Sequence, residues 1–234
     1  MCGRFVVKGS TLEIVSHFGI ETKFFDIKPS YNIAPSQPVP IVLHENEQNM
    51  LTLMRWGLIP SWAKDPSIGY KTINARSETV AQKPSFRDAF RNRRCIVVAN
   101  GYYEWIKEGK KKRPMYIHAT SGEFLAFAGL WERWRSPQNK VWETCTILTT
   151  DANEKMHDIH HRMPVLLPPQ ERHTWMSGDT HPEQLQTLLH PCDNDYLTSY
   201  EVSPQVNSPK YNAPDCIAPY TPPSKPTQTS LFPI

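Results

Sequence analysis

The chain has 234 residues, which is enough for one well-packed domain and few for two independent ones. Hydrophobic residues make up 39% and charged residues 21%, a composition that excludes a disordered chain. The formal net charge of +3 permits a polyanionic partner without requiring one. Five cysteines, an odd number with no C-x-x-C pair, argue against a disulfide framework and a zinc ribbon. No apolar run approaches the roughly 18 residues of a membrane span, so nothing is predicted to cross a membrane. We expect a cytoplasmic protein, nucleoid-associated if bacterial, and we expect it to be a monomer.

The N-terminal half is predicted to contain short strands, one capped helix and loops. A strand begins at the first residues, in MCGRFVV, and a helix follows from the capping box of Ser10 and Glu13 to a stop at Gly19. Four prolines predict a loop over residues 27–40. Two further strands are predicted in IVLHE and LTLMRWGLI, and a polar, ligand-contacting loop in SWAKDPSIGYKTINARSET.

The second half is predicted to be rich in strands. Asp151 and Glu154 indicate a capped short helix, and Pro169 and Pro182 suit the first turns of two more. Because strands are many and helices short, with no βαβ alternation, we expect an α+β fold with a mostly antiparallel, strongly bent or barrel-like sheet. The predicted strands are CIVVA, YYEWI, RPMYIHA, FLAFAGLW, ETCTILTT, PVLLP and SYEVS, with EGKKKR as a basic hairpin loop.

Cys2 carries distinctive chemistry once Met1 is removed, because a free α-amine then lies beside its thiol. The amine, with a pKa of roughly 7.7–8.0, attacks an aldehyde to form an imine. The thiol, about 8.5 when unperturbed, closes a five-membered thiazolidine ring, helped by its high effective concentration. The alternative is that Cys2 is only a small second residue.

Two further segments contain candidate site residues. Asn74 and Arg76 point the same way if TINARSET is extended, and they would orient an amine and pair with a phosphate. Glu104 lies among aromatic residues that can desolvate its carboxylate and raise its pKa toward an acid/base range. Considered alone, the alternative of a turn Asn, a solvated Arg and a solvent-facing Glu is favoured.

The densest titratable stretch is MHDIHHRMP, which holds His157, Asp158, His160, His161 and Arg162. Histidine is the usual proton shuttle near neutral pH. The spacing of His157 and His160 raises the question of zinc, but no H-E-x-x-H pattern is near and the cysteines are scattered. We therefore expect no metal ligand and no cofactor.

Basic and aromatic residues alternate in the middle of the chain, a mixture that suits single-stranded nucleic acid. Considered alone, the alternative of a solvated surface with core aromatics is favoured. The residues are Arg55, Trp56, Trp62, Lys64, Tyr70 and Lys71.

In combination, these features resemble the SOS response-associated peptidase family, also described as abasic-site processing proteins. Seven ordered segments and a trailing eighth carry the resemblance over nearly the whole domain. They are MCGRF, YNIAPSQ, RWGLIPSWAKD, INARSET, NGYYEWIKEG, LAFAGLWE, IHHRMPVLL and VNSPK. A departure is His161, where similar sequences more often carry an acidic or small residue.

The resemblance implies recognition of abasic sites in single-stranded DNA, including junctions with duplex, and a covalent thiazolidine crosslink that shields the site from strand cleavage. It also implies self-processing that exposes the N-terminal cysteine, and weak lyase activity is a plausible side reaction. The implied roles are crosslinking for Cys2, positioning for Asn74, acid/base catalysis for Glu104, ring opening and proton transfer for His160, phosphate contacts for Arg4 and Arg76, and base stacking for Trp62.

The C-terminal segment is interpreted separately. We expect one domain over residues 1–212 and a flexible Pro-, Thr- and Ser-rich tail over 213–234. Gln228, Leu231 and Phe232 in QTSLF resemble the short peptide that docks on bacterial sliding clamps, with a sticky disordered end as the alternative.

Two other functions remain open from the sequence. Cys2, His160 and Glu104 also match a thiol–imidazole–carboxylate set for a cysteine peptidase that acts on other proteins. The basic and aromatic residues match a noncovalent single-strand-binding module.

Overall fold

The computed structural model describes residues 2–23, 25–109 and 111–221. Within these residues the chain forms short α-helices and many strands. The helices are α1 (Thr11–Phe18), α2 (Arg87–Asn92), α3 (Glu154–His157), α4 (Pro169–Met176) and α5 (Pro182–Thr187). The strands are β1 (Phe5–Val7), β2 (Ile20–Lys23), β3 (Ser30–Ile33), β4 (Pro38–Glu45), β5 (Gln48–Trp56), β6 (Asn74–Arg76), β7 (Arg94–Ala99), β8 (Gly101–Glu108), β9 (Lys111–Ala119), β10 (Leu125–Arg135), β11 (Val141–Asp151), β12 (Arg162–Pro164) and β13 (Leu197–Glu201).

The strands form two sheets. One is antiparallel, in the order β13-β9-β8-β1-β3. In the other, β11, β10, β7, β4 and β5 close into a ring, because β5 also pairs in parallel with β11. β2 extends this sheet beside β5, while β6 and β12 both pair with the far end of β11. The expected α+β fold with a mostly antiparallel, barrel-like sheet is confirmed.

The core fills the ring and the space under the helices. Every residue of β7 is buried, since one face of this strand looks into the ring and the other is covered by α4. Trp175 of α4 is fully buried there and donates from its indole nitrogen to the Cys95 carbonyl at 2.9 Å. A second, smaller core of Val6, Tyr103, Tyr116, Val202, Val206 and Cys216 lies on the five-stranded sheet.

The predictions for the first forty residues are confirmed in part. Ser10 and Glu13 form the predicted capping box, and Gly19 ends α1 with a left-handed φ of 57°. The strand predicted from the first residue begins only at Phe5. The loop predicted over 27–40 is wrong, because it contains β3 and the start of β4. Proline is tolerated in β4 because that strand pairs with β7 only at Ile41 and Val42, beyond both of its prolines.

Three later predictions need correction. Lys111–Arg113, expected in a hairpin loop, begin β9, where Arg113 pairs with Glu108 and Glu201 at 2.7 and 2.8 Å. The residue that caps α3 is Asn153 and not Asp151. The Asn153 side chain accepts a hydrogen bond from the Met156 N–H at 2.9 Å. The short strand expected in PVLLP is β12, which lies earlier in the chain.

The segment assigned to the tail is packed at its beginning. Residues 214–217 form a 3-10 turn whose Cys216 is fully buried, and the Cys216 carbonyl accepts from the Tyr103 hydroxyl at 3.3 Å. The packed chain therefore continues beyond residue 212. Gln228, Leu231 and Phe232 lie outside the described residues. Among the described helices, none has the length and apolar character needed to cross a bilayer.

Candidate active site

The N-terminal segment lies where the two sheets meet. β1 pairs with β8 at Phe5 and Tyr102, and the Tyr103 N–H donates to the Arg4 carbonyl at 2.9 Å. The chain ahead of β1 therefore runs beside Glu104. On the other side, β6 and β12 flank the end of β11, and they bring Asn74 and the residues after α3 to the same place.

Asn74 holds the backbone of Cys2. Its side-chain nitrogen donates to the Cys2 carbonyl oxygen at 2.8 Å, across 72 positions of sequence. The amide orientation is thereby set, and the other end, Oδ1, is buried with no hydrogen-bond partner in the described part of the chain. An amide oxygen in this position is an acceptor for a nearby N–H donor.

Cys2 and Glu104 are buried and interact electrostatically. Cys2 is fully buried and Glu104 is 5% exposed. Burial raises the pKa of the Cys2 thiol far above its ordinary value, and the charge of Glu104 raises it further, while the Arg4 backbone N–H acts in the opposite direction. Burial likewise raises the pKa of Tyr102, with contributions from Cys2 and Glu104, so the Tyr102 hydroxyl belongs to the same group. The sulfur is therefore a neutral thiol that needs a base before it can act as a nucleophile.

His160 follows α3 and lies close enough to Glu104 to respond to it. Burial lowers the pKa of His160, and the Glu104 charge partly offsets this effect. The Arg162 backbone N–H donates to His160 Nδ1 at 2.9 Å, so Nδ1 is the acceptor and Nε2 carries the proton of the neutral ring. We assign this tautomer rather than a bond from Nδ1 to the Arg162 carbonyl at 3.1 Å, because the backbone N–H can only donate and finds its acceptor in Nδ1 at the shorter distance. The exposed His161 ring stacks on His160 at 4.3 Å between centroids.

Arg162 anchors this turn. Its side chain is 6% exposed, and its guanidinium donates to Glu78 and Asp151, each at 2.6 Å, and to the Thr149 carbonyl at 2.6 Å. The two carboxylates and the carbonyl offset the free-energy cost of burying the positively charged Arg162 guanidinium. The sequence analysis missed Glu78, although it lies in the same INARSET segment as Asn74.

A second group of residues offers an exposed aromatic and basic surface. Trp62 is 55% exposed and Tyr70 is 63% exposed, on the segment between β5 and β6. Trp62, Lys64 and Lys71 line a cavity of about 440 Å³. The loop closes tightly, since Gly57 has a φ of 122° and a Cβ there would lie 2.5 Å from the Gly69 carbonyl oxygen.

The other basic and aromatic residues named from the sequence have different surroundings. Trp56 is fully buried and packs edge-on against Phe5, so it is a core residue. Arg76 is exposed on β6, two residues after Asn74, so the segment predicted as a polar loop contains a short strand and meets the condition under which these two side chains share a face. Arg4 is half-buried, and its Nη1 donates to Asn32 Oδ1 at 2.7 Å and to the Val206 carbonyl at 2.9 Å. The structure therefore ties Arg4 into the second core.

The chain is similar to known proteins over most of its length. Residues 1–209 match the family described as "SOS response associated peptidase (SRAP)". The abasic site processing protein YoqW of Bacillus subtilis is 46% identical over 222 residues, which cover 93% of this chain and 99% of that protein. The abasic site processing protein HMCES of Xenopus tropicalis is 32% identical over 223 residues, covering 82% of this chain and 66% of that protein.

The chain is also similar to proteins of known structure. A crystal structure of a protein from Bacteroides thetaiotaomicron superposes with a TM-score of 0.85 at 27% sequence identity. The superposition covers 94% of this chain and all of that chain. The two proteins therefore share the arrangement of both sheets.

Proposed function

The chain belongs to the SOS response associated peptidase family, and we propose that it captures abasic sites in single-stranded DNA through a covalent thiazolidine formed by Cys2. The printed names of its relatives, abasic site processing proteins, support the substrate class. The observation that carries the proposal is the hydrogen bond from Asn74 to the Cys2 carbonyl, because it positions residue 2 within the group of Glu104 and His160.

The capture begins at the α-amine that removal of Met1 exposes. The neutral amine attacks the aldehyde carbon of the ring-opened deoxyribose, and loss of water gives an imine. In this proposal the buried Oδ1 of Asn74 accepts a hydrogen bond from the amine, which is supported by its having no other partner in the described part of the chain, while Nδ2 holds the adjoining carbonyl. His160, neutral because burial lowers its pKa, assists opening of the sugar ring and the proton transfers that expel water.

Ring closure uses the thiol. Sγ bonds to the former aldehyde carbon, and the S–H proton passes through Glu104 to the imine nitrogen, so the ring forms with no other reactant. The raised pKa of the Cys2 thiol keeps the proton on sulfur until a base accepts it. The Glu104 carboxylate is the proposed base. The ring protects the adduct from hydrolysis and the abasic site from strand cleavage. Weak lyase activity is the expected side reaction of the imine.

DNA would approach across the exposed surface of Trp62, Lys64, Lys71 and Arg76. Exposed aromatic rings stack on bases, and cationic side chains pair with phosphates. Trp62 is the proposed stacking residue and Arg76 a proposed phosphate contact. Arg4 remains a proposed phosphate contact, although two internal acceptors already hold its Nη1.

The peptidase function is proposed only for removal of residue 1. A cysteine peptidase that acts on other proteins needs a thiol with a lowered pKa and access for a polypeptide. Burial instead raises the pKa of the Cys2 thiol, and the side chain is fully buried. Removal of Met1 by the same site or by a host aminopeptidase gives the same mature N-terminus.

The test is incubation of the full chain with a single-stranded oligonucleotide carrying one abasic site, followed by a denaturing gel and intact-mass spectrometry. We expect a heat-stable adduct on a polypeptide that begins at Cys2. Cys2→Ser should lose the adduct and retain noncovalent binding, while the control Cys192→Ser, which changes the least buried cysteine, should keep both. A working protein that retains Met1, or a Cys2→Ser protein that crosslinks normally, would contradict the proposal.

A further inference from the structure

A group of metal-ligating side chains lies apart from Cys2, at the turn between β4 and β5. His44 at the end of β4, Glu47 in the turn and His173 on α4 each offer a donor atom, and these atoms all lie within 4.8 Å of one another. Within residues 2–23, 25–109 and 111–221, no other set of three such side chains meets this spacing. No such set is formed by the stretch with His157, His160 and His161, for which the sequence raised the question of zinc.

The ring of His44 is oriented by a second layer of hydrogen bonds. Asn49 donates from Nδ2 to the Phe18 carbonyl at 2.9 Å, which turns its Oδ1 toward His44. That Oδ1 lies 2.9 Å from His44 Nδ1, so Nδ1 carries the proton and donates it. The lone pair of the neutral ring is therefore on Nε2, which is the tautomer of a metal-binding histidine whose other nitrogen is hydrogen-bonded.

Glu47 occupies an unfavourable position in its turn. Asn46 and Glu47 form a two-residue hairpin loop with φ values of 50° and 61°. This left-handed geometry favours Asn followed by Gly, so a glutamate at the second position costs backbone energy. The same geometry brings the carboxylate to the donor atoms of the two histidines.

The surroundings suit a cation. The three side chains line a cavity of about 290 Å³ together with Glu21 and Arg172. Arg172 is held against two other residues of the cavity wall, because its Nη2 lies 3.1 Å from His17 Nε2 and its guanidinium lies 4.8 Å from the Phe18 ring centroid. Two carboxylates against one arginine leave the cavity with a net negative charge.

We infer that His44, Glu47 and His173 bind a divalent transition-metal ion of the Zn²⁺ class. Two imidazoles and one carboxylate are a typical donor set for such an ion, with a water in the fourth position. Metal–ligand distances of about 2.0–2.1 Å in tetrahedral geometry place donors about 3.4 Å apart, so short rotations of the exposed Glu47 and His173 side chains close the site. The ion would join the β4–β5 turn to α4. The inference is independent of the abasic-site proposal, since none of these residues belongs to the group around Cys2.

The test is a calorimetric titration of the chelator-treated full chain with ZnCl₂, repeated with CoCl₂ while visible absorption is recorded. We expect one equivalent of Zn²⁺ and the absorption bands of tetrahedral Co²⁺. His44→Ala, His173→Ala and Glu47→Gly should each weaken binding at least tenfold, and Glu47→Gly retains a turn residue that the hairpin favours. Asn49→Ala should weaken binding by about 10–100-fold through the orientation of His44.

The control is His181→Ala, an exposed histidine outside the cavity, which should bind as the parent does. Zn²⁺ should also raise the melting temperature of the parent and of the control but not of His44→Ala. Absence of a stoichiometric site in the parent would overturn the inference. So would binding that survives in His44→Ala and His173→Ala but is lost in a His160→Ala/His161→Ala protein.

Discussion

Asn74 and Cys2 are joined by a hydrogen bond of 2.8 Å between a side-chain amide and a main-chain carbonyl. The bond connects β6 of the eight-stranded sheet to the segment ahead of β1 in the five-stranded sheet. It therefore holds the backbone of residue 2 close to Glu104 and His160. The contact is made to the carbonyl oxygen alone, so it constrains the backbone without engaging the Cys2 sulfur.

The first prediction concerns that bond. Asn74→Ala removes both the donor and the buried Oδ1, and a lost hydrogen bond at a buried group costs about 1–3 kcal/mol. We expect crosslinking to slow by roughly 10–100-fold, measured as single-turnover adduct formation on an abasic oligonucleotide. Asn92→Ala, which changes an exposed asparagine of α2, should crosslink at the parent rate. Equal rates in Asn74→Ala and the parent would remove Asn74 from the site.

The second prediction concerns the coupling of Glu104 and His160. The Glu104 charge raises a His160 pKa that burial has lowered. Glu104→Gln should therefore move the His160 pKa further down, which NMR titration of the ring measures. Crosslinking in Glu104→Gln and in His160→Ala should be slower, with noncovalent DNA affinity retained. An unchanged His160 pKa would show that the two groups are not coupled.

The third prediction concerns Arg76 and DNA. Loss of one phosphate contact reduces the number of released counterions, so Arg76→Ala should weaken binding and lower the salt slope by about one. Binding measured at several salt concentrations with an undamaged single strand separates this effect from crosslinking. The exposed Lys107 on β8 provides a matched control, and Lys107→Ala should leave the slope unchanged. If Arg76→Ala had the same salt slope as the parent, a contact between Arg76 and a DNA phosphate would be excluded.

The fourth prediction concerns the pH dependence of stability. Burial acts to raise the pKa of Glu78, but the hydrogen bond and charge of Arg162, together with hydrogen bonds from the Glu78 backbone and the Ser77 side chain, outweigh it, so the net shift is downward. A lowered folded-state pKa gives stability that is present above the unfolded value of about 4.3 and is lost as the pH falls toward the folded value. Glu78→Gln should lower the melting temperature at pH 7 and reduce the further loss on acidification. If the melting temperatures of the variant and the parent changed by the same amount with pH, the linkage would be disproved.

Local chemistry in the sequence was sufficient for several elements of the fold. The cap of α1, the proline starts of α4 and α5 and the strand-rich second half depend on residues close together in the chain. Errors arose where a distant partner decides the outcome. Prolines of β4 are accommodated by the limited extent of its pairing with β7, and Lys111–Arg113 belong to β9 because they pair with Ile106–Glu108 of β8, with Glu201 of the next strand holding the Arg113 side chain.

For the site, the amino-acid sequence is sufficient to identify the candidate groups: a cysteine at position 2, and Asn74, Glu104 and His160 in segments that resemble one family. The folded chain is needed to see that Trp56 is core while Trp62 is exposed, and that Arg4 is held by Asn32. It is also needed to see that His44, Glu47 and His173 share a cavity. The physical reason is that burial, pKa and donor spacing depend on groups from strands far apart in the chain, which no local pattern contains.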